Sequence, residues 1–181
     1  MNKKIAMFID MDGTLAEWGK GDGNYKRKGY FISLGYEGNV YEGLALLSKR
    51  HPEIMMFALS VAGFGSEEQR INVEEEKNQW LDKAEKTFGW GIDKFHRIFV
   101  AEKESKWGVA SQLCGDDTEK YLLDDYFVNI FGWKGTAIKV KNHVNGKTRT
   151  YQNIINSIDS PEKIADDIEF IIFGEVSHER I

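Results

Sequence analysis

The chain has 181 residues, of which 41% are hydrophobic and 29% are charged, so its composition excludes disordered and fibrous proteins and fits one globular domain. Its 24 Lys and Arg residues against 29 Asp and Glu residues give a net charge of -5, which argues against binding of long nucleic acid through a basic face. The single cysteine, Cys114, cannot form an internal disulfide, and no apolar stretch approaches the roughly 20 residues of a membrane helix. We therefore expect a cytoplasmic protein without a signal peptide or a membrane partner.

Five short runs of apolar or β-branched residues predict buried β-strands. They cover residues 5–9, 54–59, 97–100, 121–123 and 136–140. Capping patterns and helical spacing between these runs predict helices that begin near residues 40, 66, 105 and 160. Strands that alternate with helices indicate an α/β fold with a doubly wound, mostly parallel, Rossmann-like sheet, whose ligand site lies outside the carboxyl ends of the strands.

One segment interrupts this alternation. Residues 17–39 are rich in glycine, aromatic and charged residues, which predicts a long loop or a small insertion beside the site. We expect residues 1–181 to form a single domain that carries this insertion. A later charged run, Glu74-Glu75-Glu76-Lys77, is expected to form a solvated helix face.

Polar side chains follow the predicted strands, whose carboxyl ends meet at one edge of a parallel sheet. In chain order they are Asp10 and Asp12 after the first strand, Ser60 after the second, Lys106 at the opening of the helix after the third, and Asp124 and Asp125 after the fourth. Four acids, a hydroxyl and a lysine are therefore predicted to converge on one site.

The acids suit a hard divalent cation. Asp10 and Asp12 lie two residues apart at a strand end, so their carboxylates are on the same side of the chain, and Gly13 lets the backbone approach a ligand closely. Clustered carboxylates are costly without a cation or a pKa shift, and together with Asp124 this pair suits Mg²⁺, which prefers oxygen ligands. The chemistry that matches the set is phosphoryl transfer through an aspartyl phosphate.

The same residues resemble a known superfamily. Residues 10–15, Asp-Met-Asp-Gly-Thr-Leu, resemble the first motif of the haloacid dehalogenase-like (HAD) phosphatases. Ser60, Lys106 and the pair Asp124-Asp125 resemble the second, third and fourth motifs, in the chain order of the superfamily.

Part of the chain also resembles one branch of this superfamily. From about residue 98 to residue 146, and including the pair Ser105-Lys106, the chain resembles the 5′(3′)-deoxyribonucleotidase-like branch. Phe127 and Phe131 depart from the more polar residues expected there.

The resemblance implies a Mg²⁺-dependent phosphatase and a role for each acid. Asp10 would be the nucleophile that attacks phosphorus and also a Mg²⁺ ligand. Asp12 would be the general acid that protonates the leaving group, and then the base that activates water. The backbone carbonyl of Met11 and the carboxylate of Asp124 would complete the protein's share of the metal shell. Asp125 would orient a metal-bound water.

The other motif residues would hold the phosphate. Ser60 and the amides that follow it, beginning with Val61, would bind phosphate oxygens. Lys106 would neutralise charge on the phosphate and on Asp10. Lys103 is the alternative candidate for this role.

The implied function is hydrolysis of small phosphomonoesters, and the branch resemblance favours (deoxy)nucleoside monophosphates. HAD enzymes usually choose substrates with a cap, and this chain has room only for a minimal cap at residues 17–39. Trp18, Tyr25 and Tyr30 in this segment could stack a nucleobase beside several lysines, or they could simply anchor the segment to the core. A site this open could be covered by a second copy of the chain in a homodimer.

Two other functions remain open from the sequence. The same chemistry could serve sugar phosphates or a macromolecular phosphate, because the site is open. A phospho-Asp receiver or binding module uses similar residue types, but its acid pair comes first and its phosphorylated aspartate follows a later strand. Here the Asp-x-Asp sequence comes first, and this order favours the hydrolase.

Overall fold

The computed structural model describes residues 4–18, 25, 27–63, 65–145 and 151–174. Six strands within them form one parallel sheet: β1 Lys4–Ile9, β2 Ile54–Gly63, β3 Arg97–Ala101, β4 Thr118–Asp124, β5 Thr136–Lys141 and β6 Ile154–Asn156. The strand order is β3-β2-β1-β4-β5-β6, so the chain leaves β1 toward one side of the sheet and later returns to the other side. The predicted α/β class with a doubly wound parallel sheet is confirmed.

Five α-helices lie among the described residues: α1 Gly38–Arg50, α2 Glu67–Phe88, α3 Lys106–Leu113, α4 Phe127–Gly132 and α5 Pro161–Phe173. Three of them begin at a serine cap near the predicted residue, and in α3 the Ser105 hydroxyl accepts from the Gly108 amide. The Ser66 hydroxyl accepts from the Gln69 amide in a capping box, and the Ser160 hydroxyl accepts from the Lys163 amide. No helix in the described part of the chain has both the length and the apolar character needed to cross a membrane.

The sheet is covered by helices on both faces. Along β1, Ile5, Met7 and Ile9 point into one apolar cluster, which α1, α2 and α5 cover. Ala6 and Phe8 point into a second cluster on the opposite face, which α3 and α4 cover. Because successive side chains of a strand alternate between faces, double coverage requires every position from Ile5 to Ile9 to be apolar.

Strand β2 is longer than the sequence predicts. It continues to Gly63, so Ser60 lies inside the strand and not after it. The pairing of β1 with β2 ends where Ile9 pairs with Ala58, and Ser60 therefore lies beyond the end of β1, at the carboxyl edge of the sheet. Two elements that the sequence analysis did not predict are α4 and β6, whose six and three residues are too few to show a period.

The insertion between β1 and α1 packs beside α2. It contains a 3₁₀ turn, Phe31–Ser33, and the Tyr30 and Phe31 side chains are buried against Ala62 and Val73. The described part of the insertion therefore has a small apolar cluster that ties it to β2 and α2.

The charged run in α2 is not the solvated face that the sequence predicts. Glu76 and Lys77 are buried, whereas Glu75 is exposed. Glu76 accepts hydrogen bonds from the amides of Gly29 at 2.5 Å and Phe31 at 3.0 Å. Glu76 thereby attaches the insertion to α2, and the insertion in turn covers the Glu76 side chain.

Candidate active site

The predicted site residues meet at the carboxyl edge of the sheet, where β1 lies between β2 and β4. The strand order reverses at this point, which is where doubly wound sheets leave a crevice for ligands. The residues concerned are Asp10, Met11 and Asp12 after β1, Ser60 and Val61 in the outer part of β2, Lys106 at the first position of α3, and Asp124 and Asp125 at the end of β4.

Lys106 links two of the acids. Its Nζ lies 2.6 Å from Oδ1 of Asp10 and 2.7 Å from Oδ2 of Asp124, and all three residues are buried. Burial acts to lower the pKa of Lys106, but the two carboxylates outweigh it, so the pKa is raised and the ammonium stays charged. Lys103, the alternative candidate, is exposed in the turn before α3.

The carboxylate of Asp124 is oriented by the start of α4. Its Oδ1 accepts from the Tyr126 amide at 2.7 Å, and its Oδ2 accepts from Nδ2 of Asn129 at 2.9 Å. Burial raises the pKa of Asp124 to about 6, because Lys106 and these hydrogen bonds offset only part of the desolvation. The short helix α4 thus fixes a site residue.

Asp125 is held by residues that end and follow β5. Its Oδ2 accepts from Nδ2 of Asn142 at 3.1 Å and from Nδ2 of Asn145 at 2.6 Å. Lys139 donates to the backbone carbonyl oxygen of Asp125. Burial, together with the neighbouring carboxylates, raises the pKa of Asp125 to about 8.

Three of the acids are close enough to bind one cation. Carboxylate oxygens of Asp10, Asp124 and Asp125 all lie within 4.8 Å of one another. An all-oxygen donor set of this charge suits Mg²⁺, so these residues fit the metal that the HAD resemblance implies. Asp125, expected to orient a metal-bound water, is also near enough to bind the ion itself.

The structure corrects the expectation for Met11. Its backbone carbonyl oxygen accepts from the amides of Thr14 at 3.2 Å, Leu15 at 2.9 Å and Ala16 at 2.8 Å. The lone pairs of this oxygen are therefore directed into the turn after β1 and are not free for a metal. The identity of a residue does not reveal where its carbonyl points, so the sequence could not show this.

Asp12 has one fixed and one free carboxylate oxygen. The Nζ of Lys77 donates to Oδ2 at 2.5 Å, whereas Oδ1 is buried and has no hydrogen-bond partner among the described residues. Burial raises the pKa of Asp12, the charge of Lys77 opposes this change, and the charge of Asp10 adds to it. A carboxyl group with a raised pKa and a free oxygen is suited to carry a proton.

Lys77 is the site residue that the sequence analysis missed. It has no exposed surface, and its Nζ also donates to Oγ of Ser60 and to the carbonyl oxygen of Val61, each at 2.8 Å. A signal was available, because Lys77 lies four residues after Val73 and three before Trp80. These spacings place it on the buried stripe of α2.

The predicted substrate residues of the insertion have different surroundings. Tyr30 is buried and lies edge-on to Trp18, with ring centroids 6.3 Å apart, and this packing favours the anchoring role for both rings. Tyr25 is half-buried and, together with Arg27, Lys28 and Glu76, lines a small cavity of about 40 Å³ beside α2.

The comparisons with known proteins bear on the fold. No protein-family model and no curated protein matches the chain. A solved haloacid dehalogenase-like hydrolase from Burkholderia xenovorans LB400 is 10% identical with a TM-score of 0.50, and the match covers 91% of this chain and 99% of that chain. The two folds are similar. At this identity the likeness concerns the fold alone.

A second solved structure is similar over nearly the same part of the chain. DsGPDH of Dunaliella salina is 11% identical with a TM-score of 0.52, and the match covers 91% of this chain and 29% of that chain. The chain therefore spans less than a third of the length of DsGPDH, and the likeness is again one of fold.

Proposed function

We propose that the chain is a Mg²⁺-dependent phosphohydrolase of small phosphomonoesters that works through an aspartyl phosphate. The observation that carries this proposal is the buried group of Asp10, Lys106 and Asp124. Beside it lies the carboxylate of Asp12, whose Oδ2 is held by Lys77. Stability gains little from gathering carboxylates at one edge of a sheet, since each must be desolvated. In phosphoryl transfer at a bound cation, by contrast, each of these carboxylates has a role.

In the first step, a carboxylate oxygen of Asp10 attacks phosphorus, and the bond between phosphorus and the ester oxygen breaks. Asp12 gives the proton on Oδ1 to the leaving oxygen, so the alcohol departs neutral and Asp12 becomes a carboxylate. Lys106 neutralises part of the charge on Asp10 and on the phosphate. Asp10, Asp124 and Asp125 would hold the Mg²⁺ ion, which would supply further neutralisation of the charge on the phosphate oxygens.

In the second step, Asp12 takes a proton from a water molecule, and the oxygen of that water attacks the phosphorus of the aspartyl phosphate. The bond between phosphorus and Asp10 breaks, so Asp10 is again a carboxylate and Asp12 is again protonated. Ser60 donates its hydroxyl proton to a phosphate oxygen, because the Nζ of Lys77 already occupies a lone pair of its Oγ.

For the substrate we propose a (deoxy)nucleoside monophosphate, as in a 5′(3′)-nucleotidase. The grouping of Tyr25, Arg27 and Lys28 supports this choice, since these residues offer an aromatic ring and two cations to a base bound at the surface of the insertion. We expect Tyr25→Ala to raise KM for nucleotides more than KM for para-nitrophenyl phosphate. Equal changes in the two KM values would show that Tyr25 does not contact the nucleoside part of the substrate.

The test is phosphate release from a panel of ribo- and deoxyribonucleoside monophosphates, sugar phosphates and a phosphopeptide. Each is assayed with Mg²⁺, with EDTA, and with Asp10→Asn, and exposed Asp116→Asn is the matched control. Phosphate release that requires both Mg²⁺ and Asp10 supports the proposed reaction. Faster release from nucleotides than from the other compounds supports the proposed substrate class. Release led by sugar phosphates would keep the chemistry and reject the nucleotidase. A long-lived phospho-Asp10 without release would identify a receiver instead.

A further inference from the structure

Lys77 occupies a position that an apolar residue would normally hold. It lies in the middle of the 22-residue helix α2, on the stripe that also buries Val73, Trp80 and Leu81. An ammonium group removed from water is costly unless charges and hydrogen bonds compensate it. Its presence on this stripe therefore needs an explanation from its contacts.

Those contacts use the full bonding capacity of the ammonium group. Lysine has three N–H donors, and Nζ of Lys77 donates to Oδ2 of Asp12, Oγ of Ser60 and the carbonyl oxygen of Val61. The ring of Phe31 covers another side, with its centroid 4.6 Å from Nζ. Lys77 is thus fixed between the end of β1, the outer part of β2 and the insertion.

Lys77 and Lys106 contact different acids of the site. Lys106 contacts Asp10 and Asp124, which we assign to attack on phosphorus and to the metal. Lys77 contacts Asp12, which we assign to proton transfer, and it does so through Oδ2 alone. The other oxygen, Oδ1, is buried and free of partners within the described residues. A carboxyl group held in this way cannot rotate without losing its salt bridge, so Oδ1 keeps a fixed direction.

We propose that Lys77 is a positioning residue for proton transfer: it holds Oδ2 of Asp12 and Oγ of Ser60 so that Oδ1 of Asp12 faces the leaving oxygen and then the attacking water. This inference rests on the proposed phosphohydrolase function. It predicts that loss of Lys77 harms the reaction in proportion to how much the leaving group needs a proton. A residue that serves only stability or phosphate binding would affect all leaving groups alike.

The experiment measures kcat/KM for phenyl, 4-nitrophenyl and 2,4-dinitrophenyl phosphate, which have similar shapes but increasingly good leaving groups. In Lys77→Met we expect kcat/KM for phenyl phosphate to fall by about 100-fold, the lower part of the range for general acid catalysis. For 2,4-dinitrophenyl phosphate, whose anion leaves without protonation, the fall should be several times smaller. Asp12→Asn should show the same dependence, and the double variant should lose little more than either single variant.

Two further variants separate positioning from folding. Lys83→Met places the same substitution on an exposed position of α2 and should leave all three rates unchanged. Lys77→Arg keeps the positive charge, so the protein should fold even if Lys77→Met does not, but its planar guanidinium cannot direct three bonds as an ammonium does. We expect Lys77→Arg to show the same leaving-group dependence at a thermal midpoint close to that of the unsubstituted protein.

The outcomes distinguish this inference from the proposed function. An equal loss across the three esters in Lys77→Met and Lys77→Arg, or losses that multiply in the double variant, would overturn the positioning role while leaving the phosphohydrolase intact. If the unsubstituted protein releases no phosphate from any ester with Mg²⁺, the proposed function fails, and this inference fails with it.

Discussion

The carboxylate of Asp125 fills the space that a side chain on Gly13 would need. An ideal Cβ on Gly13 would lie 2.3 Å from Oδ2 of Asp125, and Gly13 has a φ of +84°. Asn142 ties the two residues together, since its Nδ2 donates to the carbonyl oxygen of Gly13 at 2.6 Å and to Oδ2 of Asp125 at 3.1 Å. The glycine of the Asp-x-Asp-Gly sequence is thus required by contact with an acid more than a hundred residues away in the chain.

We expect Gly13→Ala to displace Asp125 and to weaken the metal site. The left-handed backbone alone costs about 1–2 kcal/mol for a residue with a Cβ, and the collision adds to this. The measurement is the increase in thermal midpoint on addition of Mg²⁺. Gly29→Ala is the matched control, because Gly29 has a φ of +86° but nothing within 4 Å of the added Cβ. If both variants keep the Mg²⁺ response, the contact has no part in metal binding.

Lys106 and Lys103 form a second matched pair. Lys106→Met leaves two carboxylates, Asp10 and Asp124, buried without their ammonium partner, and breaking a buried ion pair costs about 3–5 kcal/mol. Lys103→Met changes an exposed residue, and its effect should stay within about 0.5 kcal/mol. Unfolding in urea with EDTA gives both values, and phosphate release should be lost only in Lys106→Met. Similar stability and activity in the two variants would contradict this assignment.

The stability of the metal-free protein should fall as the pH rises. The pKa is about 6 for Asp124 and about 8 for Asp125, against an ordinary value of 3.8 for each. The folded state therefore binds these protons more tightly than the unfolded state, and the free energy of unfolding decreases between about pH 4 and about pH 8. Urea unfolding in EDTA across this window measures the slope.

Asp125→Asn is the control for that slope. It removes the group with the higher pKa, so the upper part of the window, above about pH 6, should become flatter. Added Mg²⁺ should restore more stability near pH 8 than near pH 5, because the ion binds ionised carboxylates. A slope that is identical in the variant and the unsubstituted protein would show that Asp125 titrates normally.

Glu76 should control how firmly the insertion is held. Glu76→Ala leaves the amides of Gly29 and Phe31 without their acceptor, which costs about 1–3 kcal/mol where those groups stay buried. We expect faster tryptic cleavage after Arg27 or Lys28, both exposed, than in the unsubstituted protein. Glu75→Ala on the exposed face of the same helix is the control. Equal cleavage rates in the two variants would mean that the apolar cluster alone holds the insertion.

The sheet and the motif residues could be predicted because they depend on local sequence. β1 is wholly apolar and is followed directly by Asp10, so both the strand and the end at which its acid lies can be seen in a few residues. The parallel arrangement follows from alternation with helices. The side-chain contacts of Lys106 with Asp10 follow from these two facts, since all carboxyl ends share one edge.

Other features depend on how elements are rotated or extended, which local sequence does not determine. The spacing of Lys77 from Val73 and Trp80 indicates its burial, but Glu76 has no such signal and is buried because the amides of the insertion bind its carboxylate. The carbonyl of Met11 is directed by a turn whose geometry involves three later amides. β2 extends past Ser60 because β3 pairs with it there, and that partner lies far along the chain.

The charge balance of the site has a consequence for the order in which its ligands arrive. Four carboxylates and three buried ammonium groups come together at this edge: Asp10, Asp12, Asp124 and Asp125, with Lys77, Lys106 and Lys139. At pH values above the pKa of Asp125, which is about 8, and with every group ionised, the site carries one excess negative charge and repels a phosphate dianion, whereas a divalent cation reverses the sign. In that pH range the substrate should therefore associate after the cation, so scarcity of free Mg²⁺ would lower the affinity of the protein for phosphate esters as well as its rate.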